Sequence, residues 1–196
     1  MTRNDTARGY SVLELVFVTA LIVTLSGIAL PQTVASLDDF RAAGAARYLS
    51  ARLYRARMLA VMRSARVAVQ FSRTGSGYLF TEYQDGNRNG VLTSEIGSGI
   101  DRRLGRPESL SDNFKGIDFG TQPGLPPIDP GGAAPGADPI RLGAGSILTF
   151  TPHGTSSTGT VYIRGRDAQY AVRVFGDTGK SRLLKFNRRA GRWSPL

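Results

Sequence analysis

The segment from Leu15 to Leu30, LVFVTALIVTLSGIAL, has 16 residues and no charged side chain. Together with residues 10–13 it reaches about 20 residues, the length with which a helix crosses a hydrocarbon core of about 30 Å. The sequence therefore predicts a transmembrane helix over residues 10–31, with the rest of the chain on one side of the membrane. Arg3 and Arg8 precede the apolar run, which favours a cytoplasmic N-terminus and an outward-facing remainder.

A carboxylate, Glu14, stands at the start of this apolar run. An intramembrane charge costs about 2.5–3.5 kcal/mol on insertion scales, so a functional reason is expected. A secretory signal peptide would be cut after Ala29 or Ala35, and an uncleaved anchor would leave Glu14 unexplained. Cleavage between Gly9 and Tyr10 would instead create an α-amine four residues before Glu14, on the same helix face. With a pKa of about 7.7–8.0 that amine would be cationic and could neutralise the carboxylate, in the same chain or in a neighbour.

The residues Gly9-Tyr10-Ser11-Val12-Leu13-Glu14 resemble the class III signal of type IV prepilins and pseudopilins. The resemblance implies that a prepilin peptidase cuts after Gly9, that Tyr10 becomes N-methylated, and that Glu14 sets the register of filament assembly. Tyr10 stands where Phe is most usual, and Pro31 matches a helix-bending proline found in many of these proteins. The resemblance also implies a single-pass inner-membrane protein with a periplasmic C-terminal domain. Its partners would be other pilins or pseudopilins and an inner-membrane assembly platform.

The segment 32–66 is predicted to continue the helix in amphipathic form, with Asp38 and Asp39 near the start of this half, where acids favour a helix N-terminus. Small and medium apolar residues recur there at three- and four-residue steps and mark one face. These residues are Ala42, Ala45, Ala46, Leu49, Leu53, Ala56 and Ala60.

The same segment carries seven arginines with no acid among them: Arg41, Arg47, Arg52, Arg55, Arg57, Arg63 and Arg66. One interpretation is a solvated face whose arginine stems cover apolar surface. The other is a surface that contacts acidic neighbours or nucleic acid.

From residue 67 the apolar period changes to two, which predicts a β-rich domain over 67–196. The strands are expected at 67–71 and 78–83, which are predicted to form a hairpin around residues 74–77, and at 146–151, 160–164, 170–175 and 181–187. Residues 104–142 are rich in Gly and Pro and are expected to be mostly loop, with a Pro/Gly-rich loop at 121–139 whose core, 124–139, is expected to be mobile. After a leader at 1–9, the predicted fold is α+β: a long N-terminal helix packed on an antiparallel β-sheet.

Three stretches are similar to the GspH/FimT family of minor pseudopilins and minor pilins. They are ARLYRARMLAVMRSARVAVQF, FTPHGTSSTGTVYI and YAVRVFGDTGKSRLLKF. The resemblance implies a pilin-like fold and a minor subunit near the tip of a type II secretion or type IV pilus filament. The segment at 121–139 has no obvious counterpart in that family.

The composition points away from an enzyme. The chain has no Cys, which excludes disulfides, thiolate zinc sites and cysteine nucleophiles, and His153 is the single His. No cofactor is therefore expected. The net charge of +10 suits contact with phosphate polyanions or anionic lipid headgroups.

A loop beginning at Asp85 partly matches a calcium-binding pattern. Asp85, Asn87, Asn89 and a following Gly fit positions 1, 3, 5 and 6 of an EF-hand loop, but Glu95 falls at position 11 instead of 12. The alternative is a turn between strands, for which Asn and Gly are common residues. We expect no metal site here.

The C-terminal segment 164–196 has nine basic residues and two acids. Its sequence Gly179-Lys180-Ser181-Arg182 resembles the Gly-Arg-x-Arg motif with which FimT-type minor pilins bind DNA, although Lys180 lacks the planar fork of Arg. Clustered cations neutralise phosphates and release counterions, and nearby aromatics could stack on bases. The other interpretation is a turn shared with secretion pseudopilins, with the aromatics in the core. The candidate DNA-binding residues are Lys180, Arg182, Lys185, Arg188 and Arg189.

Overall fold

The structure, a computed structural model, describes residues 10–75 and 77–196. Helix α1 spans Val12–Arg63 and is followed by a β-rich region with two short helices, α2 at Thr93–Ser98 and α3 at Leu110–Asn113. The chain divides into two compact units, one ending at Leu37 and the other spanning Asp38–Leu196. The expected cleavage at Gly9 lies outside the described residues.

The first unit is the N-terminal part of α1, which is long and apolar enough to cross a membrane. The large apolar side chains from Val12 to Ile28 that the structure describes are exposed, and the helix includes Pro31. The threonine hydroxyls bond to carbonyls one turn earlier: Thr19 donates to Val16 at 2.9 Å and Thr24 to Ala20 at 2.8 Å. Because these polar groups are satisfied within the helix, they are compatible with a surrounding that offers no water.

In the second unit, α1 packs through the face that the apolar spacing predicts. All seven small and medium residues of that face are at most 1% exposed. Most are alanines, so the helix backbone approaches the strands closely. Asp38 and Asp39 do not begin a new helix, because α1 is continuous across them.

Ten strands are formed in the described part of the chain. They are β1 Val67–Thr74, β2 Gly77–Gln84, β3 Arg102–Arg103, β4 Asp118–Phe119, β5 Ile140–Arg141, β6 Ile147–Phe150, β7 Gly159–Arg164, β8 Gln169–Phe175, β9 Lys180–Asn187 and β10 Arg192–Pro195.

The strands form two antiparallel sheets instead of the single sheet that the sequence suggests. The first has the order β3-β2-β1-β6, and the second has the order β10-β9-β8-β7-β4 with β5 beside β7. The predicted hairpin is present, with Val67 opposite Gln84 and Thr74 opposite Gly77. A single core cluster joins α1 to the inner faces of both sheets. The α+β fold predicted from the sequence is confirmed.

The Pro/Gly-rich segment 121–139 contacts the second sheet through side chains, including those of Trp193 and Asp129. The indole Nε1 of Trp193 donates to the carbonyl of Pro126 at 3.0 Å. Asp129 forms an ion pair with Arg173 at 2.6 Å. The segment therefore lies over the outer face of the second sheet, where a second apolar cluster forms.

Candidate functional site

Glu14 lies in the first turn of α1, where the helix dipole favours an anion. Ser11 precedes the helix, and its hydroxyl accepts the Leu13 amide at 3.2 Å, as an N-cap does. Tyr10 is 87% exposed. Among the described residues Glu14 has no ion-pair partner, so its pairing with an α-amine stays a prediction.

The turn before β9 depends on a glycine. Gly179 has a φ of +60°, and a Cβ there would lie 2.3 Å from the Gly154 carbonyl oxygen. The side chain of Arg57 lies next to Gly179 and donates from Nε to the Gly154 carbonyl oxygen at 2.8 Å. The turn therefore brings Lys180 close to α1, a contact that the motif alone does not reveal.

A groove of about 520 Å³ lies between α1 and β9. It is lined by Arg47, Arg57 and Lys180, and none of its lining residues is acidic. Ser50 and Ser181 share a hydrogen bond of 2.7 Å across it. Such a groove attracts anionic groups, because three cations face it without a neutralising carboxylate.

The structure divides the five candidate DNA-binding residues into two sets. Lys185 pairs with Asp39 at 2.7 Å, and Arg188 donates from Nη2 to the Gln122 side chain at 2.7 Å. These two are engaged within the chain. The other three are exposed, although the Arg182 guanidinium also lies 5.4 Å from the centre of the Phe175 ring. They are Lys180, Arg182 and Arg189.

Asp38 and Asp39 connect α1 to the second sheet. Asp38 accepts the amides of Arg166, Asp167 and Ala168 at 2.8–2.9 Å, and so closes the turn between β7 and β8. Burial raises the pKa of the Asp38 carboxyl, but these three amides and the Arg166 charge outweigh burial and hold it below its ordinary value.

The neighbouring Asp39 accepts a hydrogen bond from the Tyr170 hydroxyl at 2.9 Å. Burial, together with this hydrogen bond, raises the pKa of Tyr170 well above its ordinary value. Lys185 contacts the other Asp39 oxygen. Sequence reasoning assigned Lys185 to a binding surface and missed this network, since Asp39 lies 131 residues before Tyr170 and 146 before Lys185.

A buried ion cluster joins α1 to the first sheet. The Arg52 Nη2 lies 3.2 Å from Glu82 and 2.9 Å from Glu108. The Tyr48 hydroxyl donates to Glu108. The Glu82 side chain is 1% exposed, and no described group donates a well-aligned hydrogen bond to its oxygens. Among the seven arginines between residues 41 and 66, Arg52 is therefore the one that forms a buried ion pair in the described part of the chain.

The loop after β2 closes on itself through carboxylates. Asp85 accepts the amides of Asn87, Arg88 and Gly90 at 2.7–3.1 Å. The amide nitrogens of Asn87 and Asn89 both donate to Glu95 Oε1. Asp101, which sequence reasoning missed, accepts two more loop amides. Within the described residues no cluster of three or more His, Cys, Asp or Glu side chains could hold a metal.

An exposed apolar helix that continues into a β-rich unit is the arrangement of pilin-like proteins. The family model described as "Type II transport protein GspH" matches residues 45–179. The chain belongs to this family, which consists of structural pseudopilins of type II secretion and not of enzymes. Searches of curated proteins and of solved structures found no match. The match ends at Gly179, so the basic residues from Lys180 onward lie beyond it.

Proposed function

We propose that this protein is a minor pseudopilin that acts in the assembly, or at the tip, of a filament that drives protein secretion. The observation that carries the proposal is the N-terminal part of α1, an apolar helix with exposed side chains and one carboxylate in its first turn. The membership in the GspH family supports it.

The exposed apolar surface of this helix requires an apolar surrounding. Full burial of one Leu, Val, Ile or Phe side chain is worth about 1.5–3 kcal/mol. At least ten such side chains between residues 12 and 37 are 44–79% exposed. The inner membrane would supply the surrounding before assembly, and the helices of other pseudopilins would supply it within the filament.

Glu14 then acts as the registry group. Cleavage by the prepilin peptidase after Gly9 would leave an N-methylated α-amine on Tyr10. Pairing between this amine and a Glu14 carboxylate, in the same or a neighbouring chain, would remove the cost of an isolated charge among apolar helices. Such a pair forms at one axial offset between subunits and so fixes their register.

The proposal is tested by expressing the full chain in a cell that assembles a type II secretion pseudopilus. Mass spectrometry should find a mature chain that begins with N-methylated Tyr10, and sheared filaments should contain it. A chain that keeps residues 1–9 and stays out of the filaments would contradict the proposal.

A second candidate function is DNA binding during uptake, favoured by the acid-free groove that Lys180 shares with Arg47 and Arg57. The test is binding of fluorescent duplex DNA to the full chain in nonionic detergent at several salt concentrations. The Lys180→Ala/Arg182→Ala variant should weaken binding and reduce the salt slope by about 0.9 per lost phosphate contact. The matched control removes the exposed pair Arg102 and Arg103 from β3. Equal losses in both variants would indicate nonspecific attraction by net charge.

A further inference from the structure

The face of α1 opposite its buried alanines carries a row of exposed residues, which we name the outer stripe. Its members, at steps that keep them on one side of the helix, are Phe40, Arg47, Ala51, Tyr54, Arg55 and Met62. Phe40 is 77% exposed, Tyr54 60% and Met62 75%. At 1.5 Å per residue the stripe is about 33 Å long. The stripe therefore exposes apolar side chains along about six helical turns of α1.

The outer stripe is cationic and has no compensating acid nearby on the helix. Of the seven arginines between residues 41 and 66, Arg52 alone forms an ion pair in the described part of the chain. The preceding acids are already engaged, Asp38 with backbone amides and Asp39 with Lys185. Arg47, Ala51 and Tyr54 of the stripe also line the groove next to β9, to which Arg57 and Lys180 add positive charge.

We propose that the outer stripe docks against a helix of a different subunit, one that presents carboxylates between apolar side chains. This inference rests on the proposed function, because it names the chemistry of the filament neighbour. The α1 of a second copy offers the same arginines and no acid between residues 40 and 63 with which to pair them, and like charges at close range oppose association. The arginine pattern therefore favours a neighbour with a different sequence.

The apolar half of the stripe favours a protein helix over nucleic acid. Phe40 and Tyr54 have rings on which a base could stack, but Met62, which is 75% exposed, has none. A nucleic acid would neutralise Arg47 and Arg55 with its phosphates but would leave Met62 in water. A partner helix that carries both apolar and acidic residues would bury the apolar side chains of the stripe and would pair with its arginines.

The test places a photoreactive benzoylphenylalanine in the full chain at Ala51, an exposed position between Arg47 and Tyr54. Cross-linking is done in cells with assembled filaments, and mass spectrometry maps the cross-linked peptide. We expect a helix of another pseudopilin with Asp or Glu within one turn of the cross-link. Adding Arg47→Glu/Arg55→Glu should lower the yield about tenfold, since two attractive pairs become repulsive. The matched control, Arg102→Glu/Arg103→Glu on β3, should leave the yield unchanged.

Replacing the mapped acids of the partner by Arg should restore the cross-link to the Arg47→Glu/Arg55→Glu variant. Three results would overturn the inference: a cross-link to a second copy, a cross-link to nucleic acid, or a yield that the charge reversal does not change. The filament content of the chain is measured in the same cells. If the chain is in the filament while the cross-link lacks an acidic partner, the inference fails and the proposed function stands. If the chain is absent from the filament, the proposed function fails with it.

Discussion

Replacing Arg52 by Met should destabilise the second unit strongly. Among the residues that the structure describes, Arg52 is the one cation within ion-pair distance of Glu82, whose side chain is 1% exposed, and it also contacts Glu108 at 2.9 Å. Removal of one partner from a buried ion pair typically costs about 3–5 kcal/mol, because the remaining charge is left without compensation. That is a large share of the roughly 5–15 kcal/mol by which domains are stable.

The double variant Arg52→Met/Glu82→Met should be more stable than the single Arg52→Met variant. Replacing a whole buried ion pair by packed apolar side chains is often neutral for stability. The second substitution removes the Glu82 charge that the first one leaves without a partner. The loss of Arg52 should destabilise the Glu108 carboxylate less, because its side chain is 24% exposed and still accepts a hydrogen bond from the Tyr48 hydroxyl.

The measurement is urea unfolding of the full chain in nonionic detergent, followed by the fluorescence of Trp193, the single tryptophan. The control is Arg55→Met, which removes an exposed arginine from the same helix and should change the free energy of unfolding by less than about 0.5 kcal/mol. If Arg52→Met costs no more than this control, or if the double variant is less stable than the single one, the reasoning on the buried cluster is wrong.

Three further predictions concern other contacts of the second unit. Asp38→Asn should cost about 1–3 kcal/mol near neutral pH. Because the folded-state pKa of Asp38 lies below its unfolded value, this stabilisation is present above about pH 4 and is lost as the pH falls through the folded pKa, so wild type and variant should converge in acid unfolding curves. Gly179→Ala should cost clearly more than Gly191→Ala, because both have φ near +60° but a Cβ would clash only at Gly179; equal losses in thermal unfolding would refute the clash. Trp193→Phe should cost about 1 kcal/mol and speed limited proteolysis within 121–139, whereas unchanged cleavage would show that the indole contact does not anchor this segment.

The sequence predicts the parts of the fold that depend on periodic patterns. The spacing of the alanines and leucines identifies the face of α1 that is buried, and alternation places the hairpin of β1 and β2. The division into two sheets does not follow from alternation, since strand pairing depends on contacts between distant segments. Short strands such as β3 and β4 carry too few residues to show any period.

The candidate site is predictable only where its signal is local. The signal predicted around Gly9 and Glu14 occupies a few consecutive residues, so its prediction needs no tertiary information, and it stays a prediction. Lys185 belongs to a basic cluster in the sequence, but in the fold it pairs with Asp39, which lies 146 positions away. Asp38 is placed by the sequence at a helix start, whereas it closes a turn 128 residues further along. Charge patterns show which groups need partners, and tertiary structure decides which partners they receive.

The most direct test of the account is the incorporation of Glu14→Ala into filaments. The full-length variant is compared with wild type and with Thr24→Ala, which removes a polar group from the same helix. We predict that all three chains are cut after Gly9 and enter the membrane. Only Glu14→Ala should be depleted from sheared filaments, at least about tenfold, because the α-amine loses its partner among apolar helices. Filaments that contain Glu14→Ala at the wild-type level would contradict the assigned role of this carboxylate.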